Sequence, residues 1–197
     1  SNCLDWICSI TNSSITETLT NVEKYFSNTN DLINSPFFLP YLSGERTPHN
    51  DPYIRGSFHS MKTTTSSTNL QYAVIEGVSF GILDGVNSIL KVNKNFEKIF
   101  MVGGGSKSKF WIELIASLLN RNLSVCNQSE FGAALGVARL AMHVDKNINS
   151  DVSIIKEIKI SETFNPIDNK IDLLLKRYSI WKDLYSSNKD IAPSLLT

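Results

Sequence analysis

The stretch KIFMVGGGSKSKFWIELIASLL, residues 98–119, contains the strand, turn and helix that indicate the fold class. Its apolar start, residues 98–102, predicts a buried strand that leads directly into three consecutive glycines at 103–105. From about residue 107 to residue 119, apolar side chains recur on one face of a predicted helix. This order of a strand, glycines and a helix is a recurrent way to bring backbone N–H groups close to a nucleotide.

The rest of the chain alternates between helical and extended patterns. Apolar residues at spacings of three and four predict a long helix over 69–92, and short apolar runs predict strands at 37–42, 57–61 and 123–126. Further helices are predicted over 3–11, 17–26, 131–142 and 171–185, with a polar linker at 28–35. This alternation favours an α/β fold with partly parallel strand pairing.

Three glycines, Gly77, Gly81 and Gly85, lie four residues apart on the long predicted helix. Each costs about 1 kcal/mol relative to alanine in a helix interior. Their spacing therefore predicts that one face of this helix packs closely against another backbone.

The composition limits the classes of function. The 197 residues carry 19 Lys+Arg and 19 Asp+Glu, so electrostatics give no reason to expect nucleic acid or an anionic membrane as a partner. We expect no apolar run to reach the roughly 18–20 residues that are needed to span a bilayer. The three cysteines and three histidines are scattered, which predicts no metal site and suits a reducing compartment. We therefore expect one cytoplasmic domain over residues 1–197.

A second informative stretch is FLPYLSGERTPHNDPYIRG, residues 38–56. Pro48 and Pro52 restrict its backbone, whereas Gly44 and Gly56 allow sharp turns at its two ends. Charged side chains of both signs on a rigid loop are costly to order unless they pair or bind something. The loop therefore has either internal Arg–Asp and Arg–Glu pairs or a role in bracing or binding.

The glycine turn also has two interpretations. A tight connection between a strand and a helix uses glycines for backbone reasons alone, whereas a nucleotide site uses them so that the ligand can approach closely. Ser108 stands where a dinucleotide fingerprint has its third glycine, and no Gly-Lys-Ser/Thr follows at the spacing of a P-loop. Lys107 and Lys109 are interpreted as exposed, solvated lysines.

Taken together, these motifs resemble the C-terminal half of xylulokinases, which are members of the FGGY carbohydrate kinase family. The stretches similar to that family occur in its order: SNCLDW (1–6), the loop at 38–56, AVIEGVSFGILDG (73–85), FMVGGGSKSKFW (100–111) and FGAALGVARLA (131–141). The run Pro48-His49-Asn50-Asp51 is similar to xylulokinases, whereas glycerol and gluconate kinases tend to have a PYWD-like core. Glu76 resembles the family's Glu-Gly pair, with a charge on the helix surface as the alternative.

The resemblance implies the ribonuclease-H-like fold of actin- and hexokinase-like ATPases, here as a C-terminal lobe with a mixed sheet and flanking helices. It implies that this lobe binds ATP or ADP together with Mg²⁺. The residues implied in nucleotide binding are Gly103, Gly104, Gly105 and Ser108, with Leu4 and Asp5 close to the adenosine. No metal ligand and no catalytic residue is assigned within these 197 residues.

The reaction implied is the transfer of a phosphoryl group from ATP to D-xylulose. In the family, the sugar pocket and the catalytic Asp belong to an N-terminal lobe that these residues lack, so we expect no sugar phosphorylation by this chain alone. Asp51 and Asp84 have no visible partner arrangement and neither is assigned as a base. Two alternatives stay open: another FGGY kinase acting on gluconate, ribulose or glycerol, and a non-catalytic binding module. A homodimer is also left open.

Overall fold

A computed structural model describes residues 2–92, 98–127, 132–145 and 159–191. The helices are α1 (Asn2–Ile10), α2 (Ile15–Ser27), α3 (Thr29–Asn34), α4 (Ser67–Val92), α5 (Lys109–Leu119), α6 (Gly132–Asp145) and α7 (Asp168–Asn188). The strands are β1 (Phe37–Leu39), β2 (Ser57–His59), β3 (Phe100–Met101), β4 (Leu123–Cys126) and β5 (Ile160–Phe164). A 3₁₀ turn, Gly104–Lys107, precedes α5.

The strands form two small sheets. In the first, β1 and β2 are antiparallel, with Phe38 opposite Phe58. In the second, the order is β3-β4-β5: β3 runs parallel to β4, and β4 runs antiparallel to β5. A parallel pair needs a crossover connection, and α5 supplies it between β3 and β4. The predicted α/β class with a mixed sheet and flanking helices is confirmed.

The ends of α5 follow from local chemistry. The side chain of Ser108 caps the first turn by accepting a hydrogen bond from the backbone N–H of Trp111. The helix ends at Asn120, which adopts the left-handed conformation with φ 48°. This conformation lets the N–H of Arg121 reach back to the carbonyl of Ala116, at 3.1 Å, and the chain then enters β4.

Helix α4 is the central element, because it packs against β1, α1, α2 and α5. A Cβ atom on Gly77 would overlap the carbonyl oxygen of Phe38 in β1, so the helix and the strand meet there backbone to backbone. At Gly81 the added atom would be 3.7 Å from Pro40, and at Gly85 it would meet nothing within 4 Å. The predicted close packing therefore occurs at the first glycine and is lost by the third.

By length and composition alone, α4 could cross a membrane, with a mean hydropathy of 1.4 over its most apolar window. The expectation that no segment reaches this length is therefore wrong. In the fold, however, α4 is a core helix: Tyr72, Val74 and Phe80 are fully buried among the other elements. Helices in the centre of a protein core are apolar for the same physical reason as membrane helices.

Several predicted boundaries are corrected. The polar linker at 28–35 contains α3, and β1 and β3 are shorter than the predicted strands at 37–42 and 98–102. Both residues of β3 are only half-buried, so the prediction of a buried strand is wrong. Strand β5 was not predicted. Four of its five side chains are exposed, and its sequence lacks the alternation of apolar and polar residues that marks a strand. Ser1 and Phe131, named in the family-like stretches, lie outside the described residues.

The interpretation of Glu76 as a charge on the helix surface is also wrong. Its side chain is 1 % exposed and forms two 2.7 Å hydrogen bonds with the guanidinium of Arg177 on α7. Two buried ionic groups are stable only when they are paired and hydrogen-bonded, as they are here. This pair joins α4 to α7 in the centre of the core.

Candidate functional site

The glycine turn follows β3 and begins at Gly103, whose φ of 86° lies in the region that favours glycine. Its carbonyl oxygen accepts hydrogen bonds from both the backbone N–H of Ser106, at 3.1 Å, and the hydroxyl of Ser106, at 2.7 Å. The N–H of Ser108 donates to the carbonyl of Gly105 at 3.2 Å. These bonds hold the turn in one shape at the entrance to α5.

The two faces of this turn differ. Among residues 2–92, 98–127, 132–145 and 159–191, none has a heavy atom within 4 Å of a Cβ placed on Gly103 or Gly104, so these two residues border open space in the described structure. A Cβ atom on Gly105 would lie 3.0 Å from Cε of Met101 and 3.7 Å from Cε3 of Trp111. The first two glycines therefore leave room for a ligand, whereas the third rests against the protein.

Electrostatics at the turn are mild. The start of α5 carries the positive end of a helix dipole, which favours negatively charged groups. Lys109 forms a 3.0 Å ion pair with Glu162 on β5, and both side chains are largely exposed. Lys109 is therefore exposed, as interpreted from the sequence, but it has a partner that the sequence did not reveal.

Leu4 and Asp5 lie on α1, which packs mainly against α4 and α2. The side chain of Leu4 is in the hydrophobic core and 6 % exposed, whereas Asp5 faces outward. The structure thus brings Gly103, Gly104, Gly105 and Ser108 together in one turn and leaves Leu4 and Asp5 on a separate element. Contact between these two residues and a nucleotide stays a prediction.

The loop over residues 43–56 is organised by its carboxylates. Glu45 accepts hydrogen bonds from the backbone N–H groups of His49, at 2.7 Å, and Asn50, at 3.2 Å. Asp51 does the same for Tyr53 and Ile54, at 2.9 and 3.0 Å. The acids therefore bind backbone N–H groups, and the interpretation based on internal Arg–Asp and Arg–Glu pairs is replaced by this arrangement.

Arg55 likewise bonds to the backbone of the loop. Its guanidinium donates at 2.8 Å to the carbonyl oxygens of both Pro52 and Ile54. Arg55 and the two carboxylates therefore fix the shape of the loop through hydrogen bonds to its backbone.

The same loop is attached to α4 and α7. The ring of His49 stacks on that of Tyr185, with centroids 3.6 Å apart and planes 7° apart, and its Nε2 is 3.5 Å from Asp84. The hydroxyl of Tyr185 donates to Asp51 at 3.1 Å, and that of Tyr178 donates to Asp84 at 2.9 Å. Asp51 and Asp84, for which the sequence showed no partner arrangement, thus both hold this loop in place.

These contacts shift the pKa values of Asp51 and Tyr178. Desolvation opposes ionisation of Asp51, but hydrogen bonds from Tyr53, Ile54 and Tyr185 outweigh it and lower the pKa of this carboxyl below 3.8. Burial, with the nearby Asp84 carboxylate, raises the pKa of Tyr178 to about 12. Both shifts favour the protonation states in which the hydrogen bonds of the loop form.

Sequence reasoning missed most residues that support the two loops. Arg177, Tyr178 and Tyr185 are on α7, for which the sequence predicted a helix over 171–185 but no role for these residues. Trp111 and Ser79 were not singled out, although a tryptophan on the first turn after the glycines marks a large side chain directly beside them.

Comparisons with known proteins show the family to which the chain is similar. Residues 1–144 match the model of the FGGY family of carbohydrate kinases, C-terminal domain. A xylulose kinase from Staphylococcus epidermidis is 35% identical over 167 residues, which are 83% of this chain and 33% of that protein. The chain therefore spans about a third of the length of the curated relatives that it matches.

Solved structures show the same relationship. The crystal structure of a "xyloylose kinase" from Brucella ovis has a TM-score of 0.78 and 31% identity, covering 94% of this chain and 37% of that one. Plasmodium falciparum glycerol kinase with ADP has a TM-score of 0.71 at 20% identity, covering 93% of this chain and 36% of that one, which shows a shared fold. The chain thus belongs to the FGGY family of carbohydrate kinases, as part of that family's C-terminal domain.

Proposed function

We propose that this chain is the nucleotide-binding lobe of an ATP-dependent xylulose kinase, which converts D-xylulose and ATP into D-xylulose 5-phosphate and ADP. The observation that carries the proposal is the open face of the glycine turn. No described residue fills the space beside Gly103 and Gly104 at the N-terminal end of α5, where backbone N–H groups favour an anionic ligand. The relatives support the choice of sugar, because the Staphylococcus protein at 35% identity is a xylulose kinase.

In this proposal the turn formed by Gly103, Gly104 and Gly105 receives the adenosine and the adjoining phosphates. Ser108 contributes by shaping the turn, because its hydroxyl already caps α5. Asp5 is accessible on α1 for direct contact, whereas the buried Leu4 acts through the packing of that helix.

Phosphoryl transfer also needs Mg²⁺ and a group that positions or deprotonates the attacking hydroxyl. Among the described residues, no cluster of three or more His, Cys, Asp or Glu side chains is arranged to hold a metal ion. In the proposal, Mg²⁺ therefore arrives with the phosphates of ATP, and the sugar pocket and the base belong to an N-terminal lobe. Closure of the two lobes would exclude water from the reacting groups.

An alternative is a lobe of another sugar or polyol kinase of the family. The fold does not choose between them, since glycerol kinase shares it at 20% identity. The run Pro48-His49-Asn50-Asp51, which resembles xylulokinases, favours xylulose.

Two further parts of the proposal are that residues 1–197 form one domain and that the protein is cytoplasmic. Its free cysteines, Cys3, Cys8 and Cys126, fit a reducing compartment.

Two measurements test the proposal. Calorimetric titration of the chain with MgADP should give weak binding, with a Kd between about 0.1 and 1 mM (roughly −5 to −4 kcal/mol). The intact protein that contains this chain should produce ADP from ATP faster with D-xylulose than with ribulose, gluconate or glycerol. Preference for another sugar would replace xylulose by that sugar, and sugar-independent ATP consumption would contradict the kinase assignment.

A further inference from the structure

Trp111, on the first turn of α5, lies between the glycine turn and the core helix α4. It is 4 % exposed, and its indole Nε1–H donates a 2.9 Å hydrogen bond to the hydroxyl oxygen of Ser79 on α4. Ser79 is fully buried, and its own hydroxyl donates at 2.7 Å to the carbonyl of Ile75. Because its proton is used in this way, the oxygen of Ser79 presents a lone pair to the indole.

The other side of the indole faces the turn. A Cβ atom on Gly105 would lie 3.7 Å from Cε3 and 3.8 Å from Cζ3 of Trp111, which is ordinary van der Waals contact. The backbone N–H of the same tryptophan donates to the hydroxyl of Ser108, the residue that closes the turn. The indole therefore lies beside the third glycine, together with the methyl group of Met101 at 3.0 Å from the same Cβ position, and the backbone N–H of Trp111 bonds the last residue of the turn.

We propose that Trp111, held in orientation by Ser79, is a positioning residue that fixes the glycine turn for nucleotide binding. The inference rests on the proposed function of that turn. Within the described part of the chain, no heavy atom lies within 4 Å of a Cβ placed on Gly103 or Gly104, whereas Met101 and Trp111 both do for a Cβ placed on Gly105, so the turn faces the protein at Gly105. A rigid ring with a hydrogen-bonded N–H restricts the turn more than an aliphatic side chain would, because the bond also fixes the rotation of the indole.

The first test measures the turn itself and needs no nucleotide. The N–H groups of Ser106 and Ser108 donate to the carbonyls of Gly103 and Gly105, so their hydrogen exchange, followed by NMR, reports how often the turn opens. Trp111→Phe keeps an aromatic ring and removes the N–H, and Ser79→Ala removes the acceptor. We expect both to accelerate exchange at these two amides by roughly tenfold, the effect of losing one buried hydrogen bond.

The chain offers a matched control in Trp181. This residue is 2 % exposed, and its Nε1–H donates a 2.8 Å hydrogen bond to the carbonyl of Phe38, far along the sequence from the turn. Trp181→Phe removes a comparable buried N–H and should lower global stability without a selective effect on the amides of Ser106 and Ser108. Equal acceleration in the Trp111 and Trp181 variants would reduce Trp111 to an ordinary core residue and overturn the inference.

The second test is MgADP affinity. Trp111→Phe and Ser79→Ala should each raise the Kd by roughly threefold to tenfold, and the double variant should be no worse than either single one, because both remove the same bond. Trp181→Phe should leave the Kd unchanged. Unaltered affinity in both the Trp111 and Ser79 variants would overturn the inference. Absence of nucleotide binding by the unmodified chain would contradict the proposed function instead. The hydrogen-exchange comparison would then decide whether Trp111 positions the turn.

Discussion

Glu76 and Arg177 form a buried, two-pronged ion pair between residues 101 positions apart in the sequence. The guanidinium also donates to the carbonyls of Ser35, at 3.3 Å, and Pro36, at 3.2 Å, and the carboxylate accepts from Tyr72 at 2.9 Å. Burial alone would lower the pKa of Arg177, but the Glu76 carboxylate raises it above its ordinary value. One interaction thus connects α4, α7 and the segment that leads into β1.

Breaking this pair should be strongly destabilising. Arg177→Met leaves an uncompensated carboxylate in the core, so we expect the free energy of unfolding to fall by about 3–5 kcal/mol. Urea unfolding followed by circular dichroism measures this change. The double variant Glu76→Leu/Arg177→Met should recover part of the loss, because it removes both charges.

The exposed pair between Lys109 and Glu162 is the control. Lys109→Met should change the free energy of unfolding by only about 0–1 kcal/mol, since solvent screens exposed ions. Similar losses for the buried and the exposed pair would contradict the central role given to Arg177.

The glycines of α4 should respond in opposite directions. Gly77→Ala introduces a methyl group against the carbonyl oxygen of Phe38 and should destabilise the chain by about 1–3 kcal/mol. Gly85→Ala meets nothing within 4 Å and should stabilise the helix by up to about 1 kcal/mol. Thermal unfolding of the two variants tests this, and a stabilised Gly77 variant would show that α4 does not approach β1 as closely as described.

Gly104→Val is a selective test of the glycine turn. A Cβ atom at Gly104 meets no atom of a described residue within 4 Å, so the variant should fold with almost unchanged stability. The added side chain would occupy the space proposed for the nucleotide, and MgADP binding should weaken by at least tenfold, or about 1.4 kcal/mol. Calorimetry gives the affinity, with Gly85→Val as a control for a valine introduced at an equally open glycine. Unchanged affinity in Gly104→Val would move the nucleotide away from this turn.

The stability that the loop over residues 43–56 contributes should decrease at acid pH, because Asp51 becomes protonated. Because the pKa of this carboxyl is lower in the folded chain than its ordinary value of 3.8, its contribution to stability is present above pH 3.8 and is lost as the pH falls below it. In Asp51→Asn, the free energy of unfolding should decrease less steeply as the pH falls through this acid range. Urea unfolding at a series of pH values between 5 and 3 measures the slope, and equal slopes in both proteins would show that Asp51 is not ionised differently on folding.

Much of the architecture could be predicted from local signals. Apolar residues at helical spacing predicted α4, α5 and α7, and three consecutive glycines after an apolar run predicted the turn. These signals are local because a helix or a turn depends on residues within a few positions of one another. Strand β5 escaped this reasoning, since its pairing with β4 rather than its own pattern makes it a strand.

The roles of charged and aromatic residues were harder to predict. The partner of Glu76 is Arg177, which α7 brings beside it, and the partners of Asp84 are His49, placed by the loop, and Tyr178, supplied by α7. Neither arrangement has a fixed sequence spacing, so no window along the chain contains the signal.

Most helices and strands, the position of the glycine turn and the similarity to a kinase family could be predicted from the amino-acid sequence, because periodicity, glycines and short motifs are properties of neighbouring residues. Tertiary contacts were needed to show which glycine of α4 meets β1, which acid is buried with Arg177, and which tryptophan lies beside the turn. Those outcomes depend on contacts between segments distant in the chain, where burial and hydrogen bonding can be satisfied only once the fold has brought the partners together.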